Sequence, residues 1–297
     1  MKLTLLFIFL MLYSCSNKKV ECLKDGKGKI IYTLKNGTYH GEYKVYDNTG
    51  EIKETHIYKQ GRKKDSSVYY TRESNIDYID YYRDEDSIWR KNFHKNGKIK
   101  SEGKIIHEGF PIGEWKYYNE EGVLQEIKEI KNIGGKPHLN RNWFFDSKGD
   151  TIPNKSNYYT IQYDNDTISL DRPIQAVISL KEPLFKDKNS MVMVVVPKDH
   201  SKNFNKDFSN IEEVETDTTR NLNIETDIKK AFKMEGNYPW TVIFGRYYDT
   251  PGPKKFRGII VEYYYTENHV PDSLNHNYYE HRSYFEKDVY VKGNTIE

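Results

Sequence analysis

From residue 32 onward the chain alternates apolar and polar positions in short runs, each closed by turn-forming residues. Tyr43-Lys44-Val45-Tyr46 and Glu51-Ile52-Lys53 flank Asp47-Asn48-Thr49-Gly50, a pattern that predicts two strands joined by a tight turn. The segment Gly41-Glu42-Tyr43-Lys44-Val45-Tyr46-Asp47-Asn48-Thr49-Gly50 aligns without gaps on Gly113-Glu114-Trp115-Lys116-Tyr117-Tyr118-Asn119-Glu120-Glu121-Gly122. An aromatic stands four residues before a glycine in each copy: Tyr46/Gly50, Phe93/Gly97, Tyr118/Gly122 and Phe145/Gly149. In the copy between the first two, Ser74 replaces the glycine, which predicts a different turn there because glycine takes positive φ at little cost. From Gly50 through Ser74, Gly97 and Gly122 to Gly149 the steps are 24, 23, 25 and 27 residues, the signature of an internal repeat. One hairpin cannot bury its aromatic face alone, whereas a succession of them gives each ring a neighbour. An array of hairpin repeats forming an elongated sheet is therefore expected over 32–152.

Beyond Gly149 the rhythm stops. Apolar runs at Tyr158–Tyr163, Ile174–Leu180, Met191–Val196, Trp240–Tyr247, Gly258–Tyr265 and Tyr284–Val291 alternate with polar loops, which predicts a β-sandwich domain over 153–297. Met191–Val196 is apolar on both faces, as a central strand should be, and Pro197 should end it. Asp249-Thr250-Pro251-Gly252-Pro253 reads as a tight connection, and Thr226–Lys233, closed by Gly236, as one short helix. The fold class is all-β.

Composition changes this picture in one respect. Only 36% of the 297 residues are hydrophobic and the mean hydropathy is −0.87, values that approach those of disordered chains. Yet Tyr 26, Phe 13 and Trp 4 make 14% of the chain aromatic, so the stabilising contacts come from rings. Charge is balanced, Lys+Arg 46 against Asp+Glu 44. That balance excludes a nucleic-acid binder held by a basic excess.

The N-terminus carries a different signal. Met1-Lys2 precedes an apolar run from Leu3 to Tyr13, the size of a signal-peptide core and too short to span a bilayer. Leu12-Tyr13-Ser14-Cys15 resembles the bacterial lipobox, with Tyr13 bulkier than the pattern usually has. The resemblance implies a signal peptide over 1–14, lipid on Cys15 and a tether over 15–31; several acyl chains would anchor the protein without a spanning helix. Cys22 would then lack an intrachain partner, leaving neither disulfide framework nor cysteine metal site; a Cys15–Cys22 loop is the alternative if acylation fails. By resemblance to the Bacteroidota-like family of export signals, lipoproteins of that type that reach the cell surface carry acidic residues just after the cysteine. Here Ser16-Asn17-Lys18-Lys19 follows, so the expectation is an outer-membrane anchor facing the periplasm.

Gly113-Glu114-Trp115-Lys116-Tyr117-Tyr118 and Lys95-Asn96-Gly97-Lys98-Ile99-Lys100 resemble the bacterial variant of the MORN (membrane occupation and recognition nexus) repeat. The resemblance covers about half the chain and implies architecture, not catalysis; proteins of this kind are often labelled antitoxin-like, and related repeats serve as lipid- or protein-binding scaffolds. Regular spacing would project Tyr43, Lys44, Lys100, Trp115, Lys116 and Tyr117 in rows, a candidate binding strip for a protein, a glycan or an anionic head group. The competing expectation is one buried aromatic face and one solvated lysine face.

Catalytic signals are weak. His276, Glu280 and His281 lack the spacing of a zinc-binding helix. Asp164-Asn165-Asp166 lacks the glycine and distant Glu of a calcium loop, Gly134-Gly135-Lys136 runs into Pro137 instead of the Ser or Thr of a phosphate loop, and no Gly-x-Ser-x-Gly elbow occurs. No metal or cofactor is expected. The leading expectation is a non-enzymatic envelope lipoprotein acting as a binding scaffold. The alternatives are a glycan-binding or glycan-active protein with its site near Arg257, Glu262 and His281, and an antitoxin-like partner of a toxin.

Overall fold

A computed structural model describes residues 16–22, 28–82, 87–106, 109–221, 238–266 and 278–293. The signal segment 1–14, Cys15, the expected helix at 226–233 and His276 lie outside them. The chain divides into two compact units, 1–109 with 118–122, and 110–117 with 123–297.

Unit 1 is a succession of antiparallel strands: β1 (Ser16–Cys22), β2 (Gly28–Lys35), β3 (Thr38–Asp47), β4 (Ile52–Lys59), β5 (Arg62–Tyr70), β6 (Ile76–Tyr82), β7 (Ser87–Phe93) and β8 (Ile99–Ile106). They lie in the sheet in chain order. β1 and the start of β2 occupy most of the segment expected to be a tether. The repeat turns share one geometry: Gly50 donates to Asp47 O at 3.2 Å and Gly97 to His94 O at 2.9 Å, both at positive φ. Contrary to expectation, Ser74 keeps this turn, donating to Thr71 O at 3.1 Å with φ 59°. The flanking hydrogen bonds of the turn outweigh the roughly 1–2 kcal/mol that a left-handed conformation costs a residue with a Cβ. Each such turn adds a residue to its strand, so the register shifts at Val45/Tyr46, Tyr69/Tyr70 and Asn92/Phe93.

Unit 2 begins with β9 (Pro111–Tyr118), β10 (Leu124–Ile133) and β11 (Lys136–Phe144), so the change of rhythm at 152 is not where the compact units divide. Then follow β12 (Tyr158–Tyr163), β13 (Thr167–Ser169), β14 (Ile174–Glu182), β15 (Met191–Pro197), β16 (Thr216–Arg220), β17 (Thr241–Arg246), β18 (Gly252–Tyr265) and β19 (Tyr278–Lys292). They build a three-stranded sheet, β12-β14-β17, and a five-stranded sheet, β13-β19-β18-β15-β16. Ile174, Ile178, Val242 and Phe244 of the first meet Val192, Val194, Phe256 and Phe285 of the second in one core, as in a β-sandwich. β15 lies inside its sheet and ends at Pro197, as its two-faced apolar run predicts. β18 starts six residues earlier than its apolar run, absorbing part of the expected connection, because Gly252–Arg257 pair with β19. The other face of the five-stranded sheet is covered by Phe204 and Phe208 against Ile259, Val261, Tyr263 and Tyr284.

Candidate functional site

The register of unit 1 aligns one residue from each strand across a single face: Tyr32, Tyr43, His56, Ser67, Asp80 and Arg90, from β2 to β7. Around this row the tyrosines touch in sequence. Tyr32 meets Tyr39 at 5.3 Å, Tyr39 meets Tyr43 at 5.4 Å and Tyr58 at 5.2 Å, and Tyr69 stacks on Tyr78 at 4.2 Å. His56 bridges the two groups, 5.7 Å from Tyr43 and 5.6 Å from Tyr69. The Arg90 guanidinium sits 4.0 Å over the Tyr78 ring and closes the row. Each such ring pair contributes about 0.5–1.5 kcal/mol beyond its area. Among the described residues of unit 1 every element is a strand of this one sheet, and none of them forms a second layer over the rings, of which Tyr39 is 38% exposed.

Polar groups sit at the centre of the row. Tyr82 Oη lies 2.8 Å from Ser67 Oγ, Ser67 Oγ 2.7 Å from His56 Nδ1, and His56 Nε2 2.9 Å from Glu54. Burial, and then the Lys63 ammonium, hold the His56 imidazole below its ordinary range against the opposing pull of Glu54. A neutral imidazole beside a carboxylate keeps its proton on Nε2, so Ser67 donates to Nδ1 and Tyr82 donates to Ser67. Carboxylate, imidazole and hydroxyl in line resemble an activated nucleophile. Ser67 is 0% exposed, however, which leaves no approach for an acyl substrate; the chain of bonds ties β4, β5 and β6 together.

Because the folded state depresses the His56 pKa, its contribution to stability is present above the unfolded value near 6.5 and is lost as pH falls through the folded value. The stability advantage of wild type over His56→Gln is therefore expected to shrink between pH 7 and pH 5. Urea midpoints of the two proteins at both pH values check this.

The expected strip does not form one surface. Successive residues of a strand point to opposite faces: Tyr43 joins the rings, while Lys44 lies on the other face in an ion pair with Glu42 at 2.8 Å. In unit 2, Trp115 is buried at 5% exposure and Tyr117 is half-buried beneath the Lys128 ammonium at 4.6 Å, with Lys116 exposed. Lys100 is exposed on β8. Only Tyr43 of the six belongs to the tyrosine face; Tyr32, Tyr39, Tyr58, Tyr69 and Tyr78 were not singled out in the sequence. The available signal was the repeat step itself, which carries Tyr43 to Ser67.

Of the trio Arg257, Glu262 and His281, the structure brings together only Glu262 and His281, which stand opposite each other on β18 and β19. Arg257 stands an odd step along β18 from Glu262, on the opposite face, paired with Glu286. The Glu262 carboxylate is buried and saturated, accepting from Leu184 N, Phe185 N and Ser190 Oγ at 2.7 Å each. Burial raises its pKa against those three donors. Among the described residues no group of three His, Cys, Asp or Glu side chains could hold a metal ion, and no helix is long and apolar enough to cross a membrane. No protein-family profile and no curated protein matches the chain.

Proposed function

We propose that the chain is a non-enzymatic scaffold of the bacterial envelope, anchored by lipid on Cys15 on the periplasmic side of the outer membrane, and that it binds a partner protein through the tyrosine face of unit 1. The observation that carries this reading is the continuous row of rings from Tyr32 to Tyr78 on a face that no described element of unit 1 covers. Tyrosine supplies large, rigid contact area at low entropic cost, which is why binding loops of antibodies are rich in it. Burial raises the Tyr43 and Tyr58 pKa values further above their ordinary 10, so their hydroxyls stay protonated donors. A protein partner presenting carbonyl acceptors and cationic side chains fits such a face. The near-24-residue hairpin step supports the MORN-like reading of unit 1, and the apolar run before Cys15 supports the anchor.

The anchor is tested by fractionation and intact mass. Wild type is expected in the membrane fraction with added acyl mass, and Cys15→Ala in the soluble fraction without it. Membrane association of an unlipidated Cys15→Ala protein would overturn the anchor.

A further inference from the structure

We infer that unit 2 carries a second, separate binding site, a cleft of about 330 Å³ beside β11 that takes a neutral saccharide. Its volume lies within the range of small-ligand sites. The cleft is bounded by β11, by the segment 154–157 and by the loop after β14, with His281 of β19 reaching into it.

Its polar groups fall into two sets. Asn140, Arg141 and Asn142 are committed within the protein: Arg141 Nε to Glu129 at 2.6 Å, the Asn142 side-chain oxygen to Asn157 N at 3.1 Å, and the Asn140 amide to Glu129, Tyr159 and Tyr284. These hold the lining in place. Asn154, Lys155, Asn157, Asp187 and His281 also line the cleft, and no side-chain hydrogen bond or ion pair is formed by any of them among the described residues. Two free amides, each both donor and acceptor, match vicinal hydroxyl pairs. Charge in the lining is offset: Arg141 by Glu129, Lys186 by Glu182 at 3.9 Å, and Lys155 by Asp187 within the same lining. That offset favours a neutral ligand over an anion.

An aromatic platform adjoins this set. Tyr264 and Tyr279 stand opposite each other on β18 and β19 and stack at 5.0 Å with 10° between their planes. Phe185 packs edge-on against Tyr264 at 5.1 Å, next to Leu184 of the cleft lining. Tyr279 is two residues from His281 on the same face of β19, about 7 Å along the strand, and is 46% exposed. A pyranose presents an apolar C–H face and an edge of hydroxyls. The exposed ring of Tyr279 suits the first and the amides suit the second. Asp187 is the one carboxylate in the lining among the described residues, whereas glycoside cleavage uses two; the site binds and does not hydrolyse.

The test is calorimetric titration of the full chain with the trisaccharides of glucose in β-1,4 and α-1,4 linkage, of N-acetylglucosamine and of mannose, with a galacturonic acid trimer and inorganic phosphate as anionic probes. At least one neutral trimer is expected to bind. Tyr279→Ala and Asn154→Ala, both at exposed positions, are each expected to weaken it at least tenfold, Asn154→Ala with an unchanged melting temperature and Tyr279→Ala with the small loss that its stack on Tyr264 implies, while Tyr39→Ala in unit 1 leaves it unaltered. Failure of every neutral trimer to bind, preference for either anionic probe, or undiminished binding in the Tyr279→Ala/Asn154→Ala double variant would each overturn the inference. None of these outcomes bears on the tyrosine face of unit 1.

Discussion

Replacing Asn140 with Ala is expected to destabilise unit 2 by about 2–4 kcal/mol. Asn140 is 1% exposed. Its oxygen accepts from Tyr284 N at 2.6 Å, and its amide nitrogen donates to Glu129 at 2.7 Å, Tyr284 O at 3.1 Å and Tyr159 Oη at 3.2 Å. The Asn140 carbonyl also accepts from Ser283 Oγ at 3.0 Å. One side chain thus joins the β10–β11 hairpin to β12 and β19. In the alanine variant Tyr159 and Arg141 still satisfy Tyr284 O and Glu129, but the Tyr284 N–H is left buried without an acceptor, beside a cavity. Asn140→Asp should cost as much: it keeps the acceptor for Tyr284 and loses the donor to Glu129, setting two carboxylates side by side. Leu139→Ala, at a neighbouring exposed position, should stay within about 0.5 kcal/mol. Urea unfolding of the four proteins, with tryptophan fluorescence as readout, makes the comparison.

The second large effect is expected at Asp80 in unit 1. Its buried carboxylate receives Arg90 Nε at 2.7 Å and Nη2 at 2.8 Å, a two-pronged pair in the middle of the polar row. Burial works against the Arg90 charge, and the Asp80 carboxylate outweighs it and holds the guanidinium above its ordinary range. Asp80→Ala leaves that guanidinium partly buried and uncompensated, at a cost of about 2–4 kcal/mol. Removing both partners in Asp80→Ala/Arg90→Leu should recover much of the loss, since an apolar replacement of the pair leaves no orphaned charge. The exposed pair Lys95–Glu73, at 3.3 Å, gives the contrast: Glu73→Ala should cost no more than about 0.5 kcal/mol. Native-state hydrogen exchange of the β5 and β6 amides reads both changes within unit 1 itself.

The sequence was informative where a period decides the outcome. The step of about 24 residues, with an aromatic four residues before a glycine, led to hairpins such as β3–β4 and β7–β8 of unit 1, and the run Met191–Val196 to a strand inside its sheet. It was less informative where the outcome depends on which residues meet across strands. Tyr43 and Lys44 are neighbours in the chain and stand on opposite faces. Trp115, the clearest residue of the repeat pattern, is buried. The row His56, Ser67, Asp80 and Arg90 becomes a unit only once the register is known, because each turn adds a residue and shifts the pairing beyond it. Ser74 kept the common turn because hydrogen bonds from both flanks, invisible in the residue type, hold it there. The cleft of unit 2 draws on β11, the 154–157 segment, the loop after β14 and β19, and no local pattern links residues so far apart in the chain.

That the tyrosine face of unit 1 is a protein-binding surface is the centre of the account, and cross-linking from that face tests it most directly. A photoreactive phenylalanine analogue placed at position 39 in the otherwise wild-type, membrane-borne protein is expected to give one discrete cross-linked species on irradiation of intact cells. That species should disappear when Tyr43→Ala and Tyr58→Ala are added, while the protein remains folded and in the membrane fraction. No discrete cross-link from position 39, or a cross-link whose yield is unchanged by those two substitutions, would contradict the account.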